Sequence, residues 1–438
     1  MIAQVKTPIF KNSSVRHVFF ILALVFSPLG QANSEIAPAS REVVPLSPTI
    51  LLESHSFNAK QRSSFRVNDR TEYIERGITL LHFNGAEAFE YKTFDTYADE
   101  KSCHKLIEVI AEMQADQVAF AILAHDSAAN VILQESKALK NMGFEKLTAL
   151  KSRQAYIMYL QNGTIVEKVD DLSAKASFDI PVDVVNNKVY FPKITYDFEP
   201  SNDRYIAHAG GEVNGVKSTN TRDALDQNYA KGFRLFELDI IKTSDGKFVA
   251  AHDWNMWARF TDYTGVLPPT LNAFNKEKIY GDYTTLDMDG INQWFEAHPD
   301  ATLVTDKINE PIAFANAFVD KERLIMELFS VMAVEQATKN GINAMISQEP
   351  FFDIIGDKLN FLKINNVNYI ALSRRTLSKH TELMLKLKEA GIKVYVYHVN
   401  FDPGKDERYV QENEIGLVYG MYADKWIFEG VEGPAPSK

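Results

Sequence analysis

Between Ile206 and Asp253 the chain reads IAHAGGEVNGVKSTNTRDALDQNYAKGFRLFELDIIKTSDGKFVAAHD. Two histidines, His208 and His252, bracket an acid pair, Glu237 and Asp239. Spaced by two on a strand, the acids point to one face. Two carboxylates on one face repel each other unless a cation lies between them. All-oxygen ligands suit one hard divalent cation, Mg²⁺ or Ca²⁺. Imidazole changes charge near neutral pH, so histidines flanking such a site serve as a proton-transfer pair. Together these groups form the set that metal-assisted attack on a phosphodiester requires. The bland alternatives are solvated surface acids and histidines that merely end strands. Phe236, Leu238 and Ile240, interleaved with the acids, argue against them by giving the strand a buried side.

The elements that must position these groups alternate from Tyr205 onward. Strands are expected at Tyr205–His208, Leu235–Ile240, Thr302–Asp306, Leu324–Phe329, Asn343–Ser347, Asn368–Ser373, Lys393–Val399 and Leu417–Tyr422. Helical stretches separate most of them, among them Thr221–Ala230 stopped by Gly232 and Lys379–Ala390 stopped by Gly391. Asn220 is placed to cap the first of these, and Asp245-Gly246 reads as a turn. Eight strands in alternation with helices predict an α/β fold, a closed (β/α)8 TIM-type barrel on the C-terminal side. Such barrels carry their chemistry at the carboxyl ends of the strands, where His208, Glu237, Asp239 and Asp306 fall.

This pattern resembles the glycerophosphodiester phosphodiesterase family, on the phosphatidylinositol-phospholipase-C-like version of the barrel. His208-x-Gly210, Glu237-x-Asp239, Thr243-Ser244-Asp245-Gly246 and His252-Asp253 carry the resemblance, which spans roughly residues 202–428. Val394 to Asn400 and Gly416 to Asp424 are similar to the family's seventh and closing strands. The resemblance implies His208 and His252 as the acid/base pair, acting on a glycerophosphodiester to give an alcohol and glycerol phosphate. An adjacent substrate hydroxyl would attack phosphorus, and water would open the cyclic intermediate.

Four positions depart from the family pattern. Ala209 stands where an Arg is usual, Ala423 replaces a Thr, and His398, given no role, replaces another Thr. The family's Glu-x-Lys on the third strand is Thr305-Asp306-Lys307. Lys307 fits the phosphate contact, but the acid is displaced by one, and one step along a strand reverses the face. Asp306 is expected as the third metal ligand only through a bulge or strand end, with Glu327 and Glu310 as fallbacks. Trp254, Trp257 and Phe260 read as loop packing rather than as a seat for a lipid or sugar headgroup.

Upstream, Lys6, Lys11, Arg16 and His17 precede an apolar run from Val18 to Phe26 and the small residues Gly30 and Ala32. This reads as a signal peptide, 1–32, too short to span a bilayer comfortably. A polar leader, 33–48, follows. The lone Cys103 cannot form an intramolecular disulfide and reads as an inert thiol. Export without disulfides points to the periplasm.

Residues 49–169 form the next expected domain. Strands are predicted at Ile78–Phe83, Val118–Leu123 and Gln154–Leu160, with helices at Lys105–Met113 and Ala128–Met142. Through Arg76-Gly77-Ile78, Phe94-Asp95-Thr96-Tyr97, Asp126-Ser127 and Arg153-Gln154-Ala155-Tyr156 it resembles the interleukin-like EMT inducer domain. That resemblance implies a small α/β sandwich with a glycan or protein ligand. Residues 170–201 read as a connector with one or two extra strands, one at Val189–Phe191, and 202–430 as the barrel.

The net charge of −11 over 438 residues argues against nucleic acid as a partner but not against an anionic substrate at a cationic pocket, such as a small phosphodiester or phospholipid headgroup. Two competing expectations remain: a phospholipase-D-like or sphingomyelinase-D-like lyase that stops at the cyclic phosphate, and a secreted binding protein on a degenerate barrel.

Overall fold

The computed structural model describes residues 49–83, 89–161, 163–179 and 194–428. The expected signal peptide, the leader and the strand at Val189–Phe191 lie outside the described residues. The described residues belong to one compact unit, Ser47–Lys438. None of their helices is long and apolar enough to cross a membrane.

The N-terminal part is built from β1 (Thr49–Ser56), β2 (Ser64–Val67), β3 (Arg70–Tyr73), β4 (Gly77–Phe83), β5 (Phe89–Phe94), β6 (Phe120–Asp126), β7 (Ala155–Gln161), β8 (Thr164–Asp170) and β9 (Ser173–Asp179). Strands β3-β2-β1-β9 lie against β5-β4-β6-β7-β8, the two runs joined where β1 meets β6 at His55↔His125. Alternation does the work here. Leu81, Leu123 and Ile157 face Ile50, Leu52, Phe65 and Val67 between the layers. Ile78, Leu80, Ile122 and Met158 point the other way, onto the helix Glu100–Ala115. That helix buries Cys103, Leu106, Ile107, Ile110 and Ala111, the spacing of a single apolar stripe. Cys103 gives its Sγ–H to the Thr96 carbonyl at 3.2 Å, and burial pushes the thiol up to about 11.

Two features differ from expectation. Ala128–Met142 is not one helix but two short ones, Val131–Glu135 and Lys137–Asn141, because Ser136 leaves the helical conformation and caps the second through its Oγ. The strand expected at Gln154–Leu160, read as the closing one of this domain, forms as β7 but is followed by two more. β8 pairs along β7 within the expected domain, and β9, an extra strand in the stretch read as a connector, pairs along β1 from Thr49↔Asp179 to His55↔Ser173.

The C-terminal part is a closed barrel. Its strands are β10 (Tyr205–Ala207), β11 (Leu235–Lys242), β15 (Thr302–Asp306), β16 (Leu324–Leu328), β17 (Asn343–Ser347), β18 (Tyr369–Ser373), β19 (Lys393–Tyr397) and β20 (Gly420–Ala423). All pair in parallel, and β10 bonds both β11 and β20 to complete the ring. Between β11 and β15 come β12 (Phe248–Ala250), antiparallel to β11, and the small hairpin β13 (Lys278–Ile279) and β14 (Tyr283–Thr284). Ile206, Leu235, Val304, Ile325, Met345, Ala371, Tyr395 and Tyr422, one from each barrel strand, fill the interior. The alternate residues, such as Phe236, Leu238 and Met326, pack beneath the surrounding helices. The N-terminal part docks on the barrel flank, where Glu382 accepts from Ser136 Oγ (3.0 Å) and from the Ala138 N–H (2.9 Å).

Candidate active site

Glu237 and Asp239 continue the inward row begun by Leu235 on β11, at the carboxyl end of the strand. The register Asp239↔Asp306 puts Asp306 beside them, and Val304, two residues before it, lines the interior. Asp306 therefore faces the barrel mouth in regular strand geometry, with no bulge, and Thr305 faces the outer wall. Of the two routes expected, a bulge or a strand end, the bulge is absent and the strand ends at Asp306 itself. The chain turns only afterwards, at Lys307, whose φ of 66° is left-handed.

One carboxylate oxygen from each of Glu237, Asp239 and Asp306 lies within 4.8 Å of the others. Glu237 is 1% exposed, and burial followed by the charges of Asp239 and Asp306 raises its carboxyl well above the ordinary range. Burial and Asp306 likewise raise Asp239. Glu237 Oε2 accepts the Ala209 N–H at 2.6 Å, whereas its buried Oε1 has no hydrogen-bond partner among the described residues. An unpaired buried carboxylate oxygen is costly. Lys307 Nζ, 2.7 Å from Asp306 and 3.5 Å from Asp239, sets one ammonium against three acids. Burial opposes its charge, but Asp306 and Asp239 outweigh burial and hold it above its usual value. This donor set fits one hard divalent cation.

The two histidines flank the cluster. His208 follows β10, and its Nδ1 lies 2.9 Å from Asp424 Oδ1. His252 follows β12, and its Nδ1 lies 2.8 Å from Asp253 Oδ2. A carboxylate only accepts, so each Nδ1 carries a proton and each Nε2 is left for exchange. Burial lowers His208, but Asp424, then Asp239 and Asp306, outweigh it and leave it raised. Asp239 in turn feels the charge of His252, so both rings stand within electrostatic reach of the acids. The side chains are 38% and 43% exposed, open enough for proton exchange with a ligand in the mouth.

Several further residues of the site take their roles only from the fold. Asp424 also accepts from Lys217 (2.9 Å) and Asn400 (3.0 Å). Burial pushes it up, but His208 and Lys217 hold it well below the carboxylate range. Asp253 both orients His252 and caps the helix Trp254–Thr261 through the Met256 N–H. Asn220, expected as a helix cap, instead clamps Asp239. The cap is Thr221, whose Oγ1 accepts the Ala224 N–H at 3.3 Å. Of the fallback acids, Glu310 pairs at the surface with Lys242. Glu327 lies in the interior with Tyr422 Oη donating to it at 2.8 Å. Trp254, Trp257 and Phe260 pack against Phe274 and Tyr280. Asp245-Gly246 forms the turn between β11 and β12. His398 Nδ1 meets Ser373 Oγ at 3.0 Å.

No protein-family model matches the chain, and no curated protein matches it. Among solved structures, it is similar to a glycerophosphodiester phosphodiesterase from Thermotoga maritima (19% identity, 47% of this chain and 88% of that one, TM-score 0.38). It is also similar to an Oleispira antarctica phosphodiesterase in complex with the product sn-glycerol-3-phosphate (18% identity, 50% and 92%, TM-score 0.41). A third is a glycerophosphoryl diester phosphodiesterase from Parabacteroides distasonis (15% identity, 52% and 86%, TM-score 0.42). At these identities and scores the likenesses carry no functional argument, which rests on the site itself.

Proposed function

We propose that the chain is a metal-dependent phosphoric diester hydrolase acting on a glycerophosphodiester-type substrate. The observation that carries this reading is the cluster of buried Glu237 and Asp239 with the partly buried Asp306, beside two histidines whose Nδ1 atoms are each held by an aspartate. Glu237, Asp239 and Asp306 would hold a Mg²⁺ or Ca²⁺ ion, which supplies charge neutralisation and polarisation of the phosphate when bound. The Nε2 of one histidine takes the proton of the attacking hydroxyl, and the other histidine protonates the leaving alkoxide. The Lys307 ammonium faces the phosphate as a point charge. On this reading a hydroxyl neighbouring the phosphate attacks first, and water then opens the cyclic ester to glycerol phosphate. The protein is exported to the periplasm, and its N-terminal part, interleukin-like EMT inducer-like in sequence, takes a glycan or protein ligand.

The test is hydrolysis of glycerophosphocholine and bis(p-nitrophenyl) phosphate with Mg²⁺, Ca²⁺ or EDTA, beside His208→Ala. Turnover that needs the ion and is lost in the variant is expected. Phosphorus NMR showing a cyclic phosphate as the end product would make it a lyase. A folded protein with no turnover under any ion would favour a binding role.

A further inference from the structure

The loop from Ala209 to Asn220 holds the acids of the cluster in a particular way. Of its twelve residues, Ala209, Gly210, Gly211, Asn214, Gly215, Ser218 and Asn220 have left-handed φ values between 49° and 89°. Four of these are not glycine, and such residues persist only where their surroundings over-determine them. The loop is pinned throughout. Asn228 Nδ2 donates to the Gly210 and Glu212 carbonyls, Val213 and Val216 exchange backbone bonds, and the Glu212 N–H reaches the Asp424 carbonyl. At Gly211 a Cβ would stand 2.4 Å from Asn228 Nδ2, so the close approach requires glycine.

What the loop delivers is one hydrogen bond to one oxygen of each of two acids. The Ala209 N–H donates to Glu237 Oε2 at 2.6 Å, leaving Oε1 without a partner among the described residues. Asn220, 1% exposed, is spent wholly on Asp239. Its Nδ2 donates to Oδ2 at 2.8 Å, and its Oδ1 accepts the Asp239 N–H at 2.9 Å. Asp239 Oδ1 is left toward the cluster, 3.5 Å from Lys307 Nζ. Helix capping does not account for Asn220, because Thr221 performs it.

We propose that the 209–220 loop is a template that fixes Glu237 and Asp239 as one-oxygen ligands, with Asn220 the positioning residue for Asp239. The inference rests on the metal-site reading above and adds the residue that orients the ligand. An amide that both donates to the carboxylate and accepts from its backbone locks the acid's rotamer. Hydrogen-bond partners of metal ligands tune affinity in this way, with losses of about 10–100-fold on mutation.

The test is Mn²⁺ binding, read from the free-ion signal in electron paramagnetic resonance, for the wild type, Asn220→Ser, Asn220→Gly and the control Asn214→Gly. Asn214 is left-handed in the same loop but bonds Gln227 and Tyr283, away from the acids. The loop already accepts serine at a left-handed φ, at Ser218. Both Asn220 variants should bind Mn²⁺ about 10–100-fold more weakly, with circular dichroism unchanged and the control at wild-type affinity. A folded Asn220 variant at wild-type affinity would overturn the inference alone. Failure of Asn220→Ser to fold would also overturn it, by making Asn220 a folding residue. A wild type without a saturable Mn²⁺ site would overturn the metal site and the inference together.

Discussion

His208 and Asp424 stand 216 residues apart, and their contact decides which imidazole nitrogen faces the acids. Asp424→Asn can donate to Nδ1 and so favours the wrong tautomer. A fall in kcat of about 10²–10⁴-fold follows from the cost of such a tautomer error elsewhere, with folding intact. The pH dependence has a definite sign. Asp424 raises His208, so its loss lowers the imidazole and moves whichever limb of kcat/KM His208 controls to lower pH; that limb moving upward would contradict the pairing. Glu237, Asp239 and both histidines are legible in the sequence because spacing by two and interleaved apolar residues are local signals. Lys217 is not, and the segments ending in Asn400 and Asp424 resemble family strands without showing their partners, because the three converge only when the barrel closes β20 onto β10.

At the scale of the element, β15 shows how a face is misread. Counted back from Lys307, Thr305 takes the acid's place. Counted by pairing with β11, Asp306 does, because Lys307 has already left the strand with a left-handed φ. Thr305 Oγ1 is buried without a hydrogen-bond partner among the described residues, and an unpaired buried hydroxyl costs about 1–3 kcal/mol. Thr305→Val, equal in shape, should therefore raise thermal stability by roughly 1 kcal/mol with unchanged Mn²⁺ affinity. Asp306→Asn should weaken the ion without comparable stabilisation. Lost ion binding in Thr305→Val would place the wrong residue in the mouth. The break at Ser136 and the cap at Thr221 were hidden for a related reason: Ser, Thr and Asn compete for local backbone donors, and packing chooses among them.

For the molecule as a whole, the barrel interior stores carboxylate charge. Burial, then Asp306, pushes Glu327 up to about 7, and Glu237 and Asp239 are raised as well. An acid with a raised folded value binds its proton more tightly when folded, so stability falls as pH rises from about 4.3 through that value. For Glu327 alone the penalty above pH 7 is roughly 4 kcal/mol. In EDTA the thermal midpoint should drop between pH 5 and 8, less so in Glu327→Gln; a midpoint rising over that range in the wild type would contradict this account. The barrel was legible in outline because strand-length apolar runs recur with helices between them. β8, the half-buried TIVEKVD, carries too little periodic contrast to stand out, and β9, SAKASFD, alternates but buries only the small Ala174 and Ala176. The most direct test of the central claim is glycerophosphocholine turnover by EDTA-stripped wild type and Asp239→Asn as Mg²⁺ or Ca²⁺ is restored. Saturable recovery in the wild type, with a large rightward shift or none in the variant, is predicted. Equal turnover in EDTA, or recovery unaffected by Asp239→Asn, would contradict it.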